Sequence, residues 1–229
     1  VDSAAAVCGP VVVAFDGSPR AEHALDWAAL AAAGRGTSLV IASTTWWPAV
    51  FEPAALAVRL VPDACVDEAV AAVTEAWPAL EVSGVEAGGA GEVLGCAAEL
   101  DAALLVVAAD AGIPVRGLVR GAAVPIAFAG GPVGGGPVVV GIDAWRIRPA
   151  KLAFAFDLAN AAGQEVHILH TGTRRWRGTA ARAFAGFAVA ELGDWLVSYP
   201  DVAVRYEFTT AGRTSVLARR ARAASLLVG

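Results

Sequence analysis

Methionine is absent from the 229 residues, and histidine and cysteine occur three times each. Cys8, Cys65 and Cys96 are odd in number and lack paired spacing, which argues against a disulfide framework and against a structural zinc site. His167 and His170 stand three apart in a β-rich run, where side chains alternate between faces, so they would point to opposite sides of a strand. Ser18 has no evident histidine partner, and His23 falls on an expected helix as a surface residue, so no nucleophile and base are in prospect. No catalytic residue and no metal ligand is assigned, and the chain is not expected to be an enzyme. Positive charge in excess is lacking too: the net charge is −5 and the isoelectric point is near 5.2, which removes any broad attraction to nucleic acid or to an anionic membrane. The arginines at 174, 175, 177, 219, 220 and 222 read as a solvated loop and a solvated helix face. No apolar helix long enough to span a bilayer is present either. The longest uncharged stretch, Gly121 to Ile142, contains Pro125, Pro132, Pro137 and seven glycines, and could not close a helix's hydrogen bonds in hydrocarbon. No charged leader with a cleavage site opens the chain, and a cytoplasmic location is expected. The missing methionine, even at position 1, and the stop at Gly229 directly after an apolar run lead us to expect that the native polypeptide continues beyond Gly229.

What is present is a repeat. Val11 to Asp16 (Val-Val-Val-Ala-Phe-Asp) returns as Val138 to Asp143 (Val-Val-Val-Gly-Ile-Asp), Leu39 to Thr44 matches Val166 to Thr171, and Ala102 to Ala108 matches Ala223 to Gly229. A period this long means duplicated domains of about 110 residues, each of a size to hold its own core. Seven of the eight residues from Gly130 to Pro137 are Gly or Pro. The expected division is therefore a first domain over 1–133, a linker at 134–137 and a second domain over 138–229.

Val11 to Phe15 is an apolar run without alternation, as suits a strand covered on both faces in a parallel sheet. Asp16-Gly17-Ser18-Pro19 then gives a turn, an N-cap and a first helical residue, with Glu22 near the positive helix end. Leu25, Ala28, Ala29 and Ala32 mark the apolar face of that helix, and Gly34 and Gly36 stop it. Further strands are expected at Leu39 to Ala42, Val82 to Ala87 and Leu104 to Val107, with helices over Pro62 to Ala76 and Ala90 to Leu100. The second half repeats this order: strand 138–143, helix 149–162, strand 166–170, helix 180–196, strand 202–208, helix 214–223 and strand 225–228. Alternating strands and helices point to α/β with a parallel sheet and right-handed crossovers.

The strand-Asp-Gly-Ser-Pro start, the Ala-Leu-Asp-Trp-Ala helix (Ala24 to Ala28) and the Asp-Ala-Ala-Leu-Leu-Val-Val run (Asp101 to Val107) resemble the universal stress protein family in its tandem two-domain form. The resemblance implies two doubly wound, Rossmann-like domains of the adenine nucleotide alpha hydrolase-like type, with mainly parallel five-stranded sheets, the second incomplete at Gly229. It further implies packing of the two as an intrachain pseudo-dimer, or association as a homodimer. The implied function is a regulatory module of the stress response with an adenine nucleotide pocket at the carboxyl ends of the strands. Matched to the family's pattern, Asp16 and Asp143 stand at the ribose and Thr44 and Thr171 at the adenine. As a purely structural matter Asp16 would serve as a helix cap and Thr44 as an ordinary strand end. Ala144-Trp145 replaces the Gly-Ser that follows Asp16, which weakens the match at Asp143.

Nucleotide-binding members of that family hold phosphates with Gly-x-x-Gly, nine residues, then Gly-Ser or Gly-Thr. Here the first domain offers Ala108, Ala111, Gly121 and Ala122 at those positions, with Asp110 where a triphosphate would lie. Arg116 and Arg120 nearby read as surface residues. In the second domain Gly229 is aligned with Ala108 and would be the motif's first glycine. The expectation is therefore ATP at the second domain only, none at the first. The alternative is a pseudo-domain scaffold for protein partners that binds no nucleotide. A more distant alternative, a dinucleotide-dependent oxidoreductase, rests on Gly89, Gly91 and Gly95 after a strand with Asp110 beyond. Its spacing is not the six-residue form, and the second half offers only Gly212 as a counterpart.

Overall fold

The computed structural model describes residues 9–44, 64–109, 122–143, 149–171, 192–209 and 224–228. The chain divides into two compact units, Val1–Val133 and Gly134–Gly229.

In the first unit, β1 (Val11–Phe15) leads into α1 (Pro19–Arg35), β2 (Leu39–Thr44), α2 (Ala64–Ala76), β3 (Val82–Ala87), α3 (Ala90–Glu99), β4 (Leu104–Ala108) and β5 (Ile126–Ala129). The strands lie in the order β3-β2-β1-β4-β5, and every pair is parallel. Chain order reverses between β1 and β4, which makes their carboxyl ends a topological switch point. β1, β2 and β5 are buried along their whole length, as the unbroken Val, Ile and Leu runs require when helices cover both faces. β3, at the edge, is only partly buried and carries exposed Ser83, Gly84 and Glu86.

Helix α1 begins as its residues dictate. Gly17 has φ of 68°, Ser18 is the N-cap with Oγ accepting from the Ala21 N–H at 3.2 Å, and Pro19 follows at the first turn. The four residues marked as its apolar face are all buried, and Trp27 joins them with no exposed surface, its indole N–H donating to the Gly131 carbonyl at 3.2 Å. Gly36 ends the helix in the left-handed region, with the Thr37 N–H returning to Ala32 O at 3.0 Å. Gly9 admits no side chain: a Cβ there would lie 1.9 Å from the Asp101 carbonyl oxygen.

The second unit holds β6 (Val138–Asp143), α4 (Pro149–Ala162), β7 (Val166–Thr171), a helical stretch over 192–198, β8 (Val204–Thr209) and β9 (Leu226–Val228). Its order, β8-β7-β6-β9, is again parallel throughout and repeats β3-β2-β1-β4. Gly163 repeats the left-handed stop of Gly36, with the Gln164 N–H reaching back to Ala159 O at 2.8 Å.

Three differences from the sequence reading have physical causes. β2 and β7 run on to Thr44 and Thr171, because pairing with β3 and β8 continues through these threonines. β5 lies inside the Gly- and Pro-rich stretch, where four residues, Ile126 to Ala129, give too short an apolar run to read as a strand; pairing with β4 makes it one. The last linker residues belong to the second unit's framework: Ser225, 2% exposed, donates from Oγ to Gly136 O at 2.7 Å and from its N–H to Pro137 O at 3.2 Å. The expected helix over 214–223 lies outside the described residues, as does most of that over 180–196.

Candidate functional site

The carboxyl rim of the first unit is built from the residues that follow β1 and end β2. Asp16 leaves β1 one position after Phe15, which pairs with Ser43, so Asp16 comes level with Thr44. Its Oδ1 accepts the Ser18 N–H at 2.9 Å and so braces the turn into α1. Among the described residues, Oδ2 takes no partner. Thr44 is 1% exposed, and its Oγ1 is buried without a hydrogen-bond partner among the described residues. A buried hydroxyl left in that state costs about 1–3 kcal/mol. The two residues matched to a ribose and an adenine are thus brought to one edge of the sheet, one with an oxygen to spare and the other orphaned.

Two further N–H groups at this rim are already engaged. At the start of α3, Glu92 turns its carboxylate back on the helix's own N-terminus and accepts the Gly88 N–H at 2.8 Å. The Ala109 N–H, just past β4, donates to Ala129 O at 2.7 Å. Sequence reasoning did not single out Glu92, although an acid three residues after a helix-starting glycine is a capping signal. The same geometry bears on the dinucleotide fingerprint. A Cβ at Gly91 or Gly95 would meet open space, so neither glycine serves the close helix–sheet packing that is one of the roles of that motif's glycines. Asp110, Ala111, Arg116, Arg120 and Gly121 lie outside the described residues, whereas Ala108 is the last residue of β4.

In the second unit, Asp143 ends β6 in register with Thr171 of β7, and Thr171 in turn with Thr209 of β8. One rung at the carboxyl end therefore carries an aspartate and two threonines. The corresponding rung of the first unit reads Asp16, Thr44 and Ala87. Thr209 was not foreseen; as the end of a β-rich run it was visible, but only cross-strand register aligns it with Thr171. The assignment of Gly229 needs correction. Val13 pairs with Val106 and Val140 with Val228, so Gly229, itself outside the described residues, corresponds to Val107 and not to Ala108, where the phosphate loop opens. The slip arose because Ser225 was aligned with Leu104, whereas the register pairs Leu226 with Val138 as Leu104 pairs with Val11.

His167 and His170 project to opposite faces of β7. Nε2 of His167 lies 2.8 Å from Oε1 of Glu165. His170, 3% exposed, makes a hydrogen bond between Nδ1 and the Tyr206 hydroxyl, and packs edge-on against Phe208 with ring centroids 5.3 Å apart. Among the described residues no helix is long and apolar enough to cross a membrane.

An open parallel sheet whose chain order reverses beside a polar carboxyl rim defines a doubly wound, Rossmann-like α/β protein. The universal stress protein family model matches residues 9–122, and the chain belongs to that family. Among solved structures, it is similar to a Pseudomonas aeruginosa protein assigned to the universal stress proteins, at 12% identity and a TM-score of 0.55, covering 88% of this chain and 76% of that one. It is also similar to a universal stress protein from Archaeoglobus fulgidus, at 13% identity and a TM-score of 0.52, covering 93% of this chain and 81% of that one. A universal stress protein from Archaeoglobus fulgidus in complex with dAMP aligns at 21% identity with 52% of this chain and 96% of that one, with a TM-score of 0.42. No curated protein matches the chain.

Proposed function

We propose that the protein is a cytoplasmic regulatory module of the stress response that holds an adenine nucleotide, ATP foremost, at the carboxyl rim of its second unit, without turnover of its own. The observation that carries this reading is the rung Asp143, Thr171 and Thr209 at the ends of three adjacent parallel strands. An aspartate at such a position accepts ribose hydroxyls, and threonines beside it offer donors and acceptors to a base edge. Membership of the universal stress protein family supports it. The first unit is read as contributing its fold but not an ATP site: Ala108 stands where the family pattern has its first glycine, and the Ser18, Gly88 and Ala109 N–H groups are taken up by Asp16, Glu92 and Ala129. In calorimetric titration of the whole chain, Asp143→Ala is expected to weaken ATP binding about tenfold, on the scale of one lost charge-assisted hydrogen bond pair, while Asp16→Ala leaves it unchanged. Equal effects of the two substitutions would show that the working site has been assigned to the wrong unit.

A second reading is a scaffold for protein partners that binds no nucleotide at all. The engagement of the Ser18, Gly88 and Ala109 N–H groups within the first unit favours it, and an ATP titration without heat or competition at either unit would establish it over the first.

A further inference from the structure

We propose that the helical stretch over 192–198 in the second unit docks a basic amphipathic helix of a partner protein. The surface lies at the opposite end of the sheet from the carboxyl rim, where the chain turns into β8, so it stands or falls separately from nucleotide binding. The two copies of the fold differ there in a telling way. The Tyr199 N–H donates to Trp195 O at 2.9 Å and the Val202 N–H to Tyr199 O at 3.2 Å; in the first unit the Trp77 N–H donates to Val73 O at 2.8 Å and the Leu80 N–H to Trp77 O at 2.9 Å. Both turns reach the outer strand at equivalent points, since Val204 pairs with Val166 as Val82 pairs with Leu39. Leu196 and Val197 therefore correspond to Thr74 and Glu75, which are exposed and polar, as a solvated helix face should be. In the second unit the same two positions are apolar, yet Leu196 is 43% and Val197 82% exposed. Gly193 precedes them by three and four residues and so shares their flank of the helix. A Cβ at Gly193 would meet open space, which leaves a low point where the backbone of another helix can approach.

This apolar flank sits on a fixed base. Phe156 of α4, with no exposed surface, stacks on Trp195 with ring centroids 5.7 Å apart and meets Tyr199 at 5.3 Å. The Tyr199 hydroxyl donates to Asp157 Oδ1, tying the end of the helical stretch to α4. Charge selects the occupant. Asp157, Asp194 and Asp201 are exposed around the apolar pair, and Asp194 and Asp201 make no ion pair among the described residues. No Lys or Arg occurs from Leu192 to Val204, and Lys151 stands back in the first turn of α4. An acidic rim around an apolar centre repels an anionic lipid surface, and a symmetric contact with a second copy would set acids against acids. A helix with apolar residues on one side and lysine or arginine beside them meets both features at once.

The test uses the full chain and a short synthetic helix with leucine on one face and lysine on the other, fluorescently labelled and followed by anisotropy, beside an analogue with glutamate in place of lysine. The lysine peptide is expected to bind with an affinity that falls as salt rises, and the glutamate analogue not to bind. Val197→Glu should weaken the lysine peptide by about tenfold, the scale of one lost apolar anchor, although its added negative charge would tighten a merely electrostatic attraction. Asp194→Asn combined with Asp201→Asn should weaken it by roughly threefold and flatten the salt dependence. Thermal midpoints are expected to stay at the wild-type value, and Leu196→Thr, which restores the first unit's residue, gives the same readout should Val197→Glu lower the midpoint. Lysine-peptide binding that is absent at millimolar concentration, or that is unmoved or tightened by the substitutions at 196 and 197, overturns the proposal. Equal binding of the glutamate analogue does so too. Self-association of the wild-type chain in sedimentation, abolished by Val197→Glu, would make a second copy the occupant and likewise overturn it.

Discussion

Tyr206 occupies on β8 the position that Gly84 holds on β3, since Ile168 pairs with the one and Ile41 with the other. Burial pushes its phenol up from the ordinary 10 to about 12. In the unfolded chain the proton leaves near pH 10, whereas the folded chain retains it until about pH 12. Between those values the unfolded state binds fewer protons, so stability falls as pH rises. The unfolding free energy of the wild-type chain relative to Tyr206→Phe is therefore expected to decline from pH 10 to 12 and to be flat below pH 9. A flat difference across the whole range would mean that the phenol is not buried in solution. Local chemistry such as the Asp16 and Ser18 turn was legible in the sequence because its partners lie two and three residues away. The contact of Tyr206 with His170 was not, because it joins neighbouring strands 36 residues apart.

At the level of elements, the two copies keep the same spacing from β1 through the left-handed glycine to the end of β2, as Val11, Gly36 and Thr44 against Val138, Gly163 and Thr171. They diverge at the outer strand. In the first unit α2 lies over Gly84 so closely that a Cβ would stand 2.5 Å from Val66 Cγ1. In the second, Tyr206 takes the place of Gly84 and meets His170, which stands where Ser43 does in the first. Gly84→Ala should thus destabilise the protein by about 1–3 kcal/mol through overpacking, outweighing the roughly 0.5–1 kcal/mol that alanine gains over glycine in a strand. Denaturant unfolding would register the loss as a lower midpoint, and a raised midpoint would show that α2 can move away. The strand at β3 was readable from the sequence, but the depth of the α2 contact was not, since nothing in the sequence gives the distance between a helix and a strand.

On the scale of the whole molecule, the boundary between units falls after Val133. Strands β1 to β5 pair with one another in an unbroken parallel series, and Trp27 is satisfied by Gly131 on the same side of the boundary. A fragment of residues 1–133 is therefore expected to fold alone and to unfold in one cooperative step, with Trp27 shielded from solvent quenchers; a fragment lacking a cooperative transition would refute this. The sequence by itself determined the duplication, the α/β class, the parallel sheet and the entry into α1. Each of these depends on residue types and spacings within a few positions: β-branched runs, a Gly-Ser-Pro cap, a glycine stop. Only the tertiary structure decided the strand order, the place of β5, the one-residue shift that moves Gly229 from Ala108 to Val107, and the engagement of the rim's N–H groups by Glu92 and Ala129. Those are matters of register and of which donor meets which acceptor across strands, and they are fixed when distant segments pair.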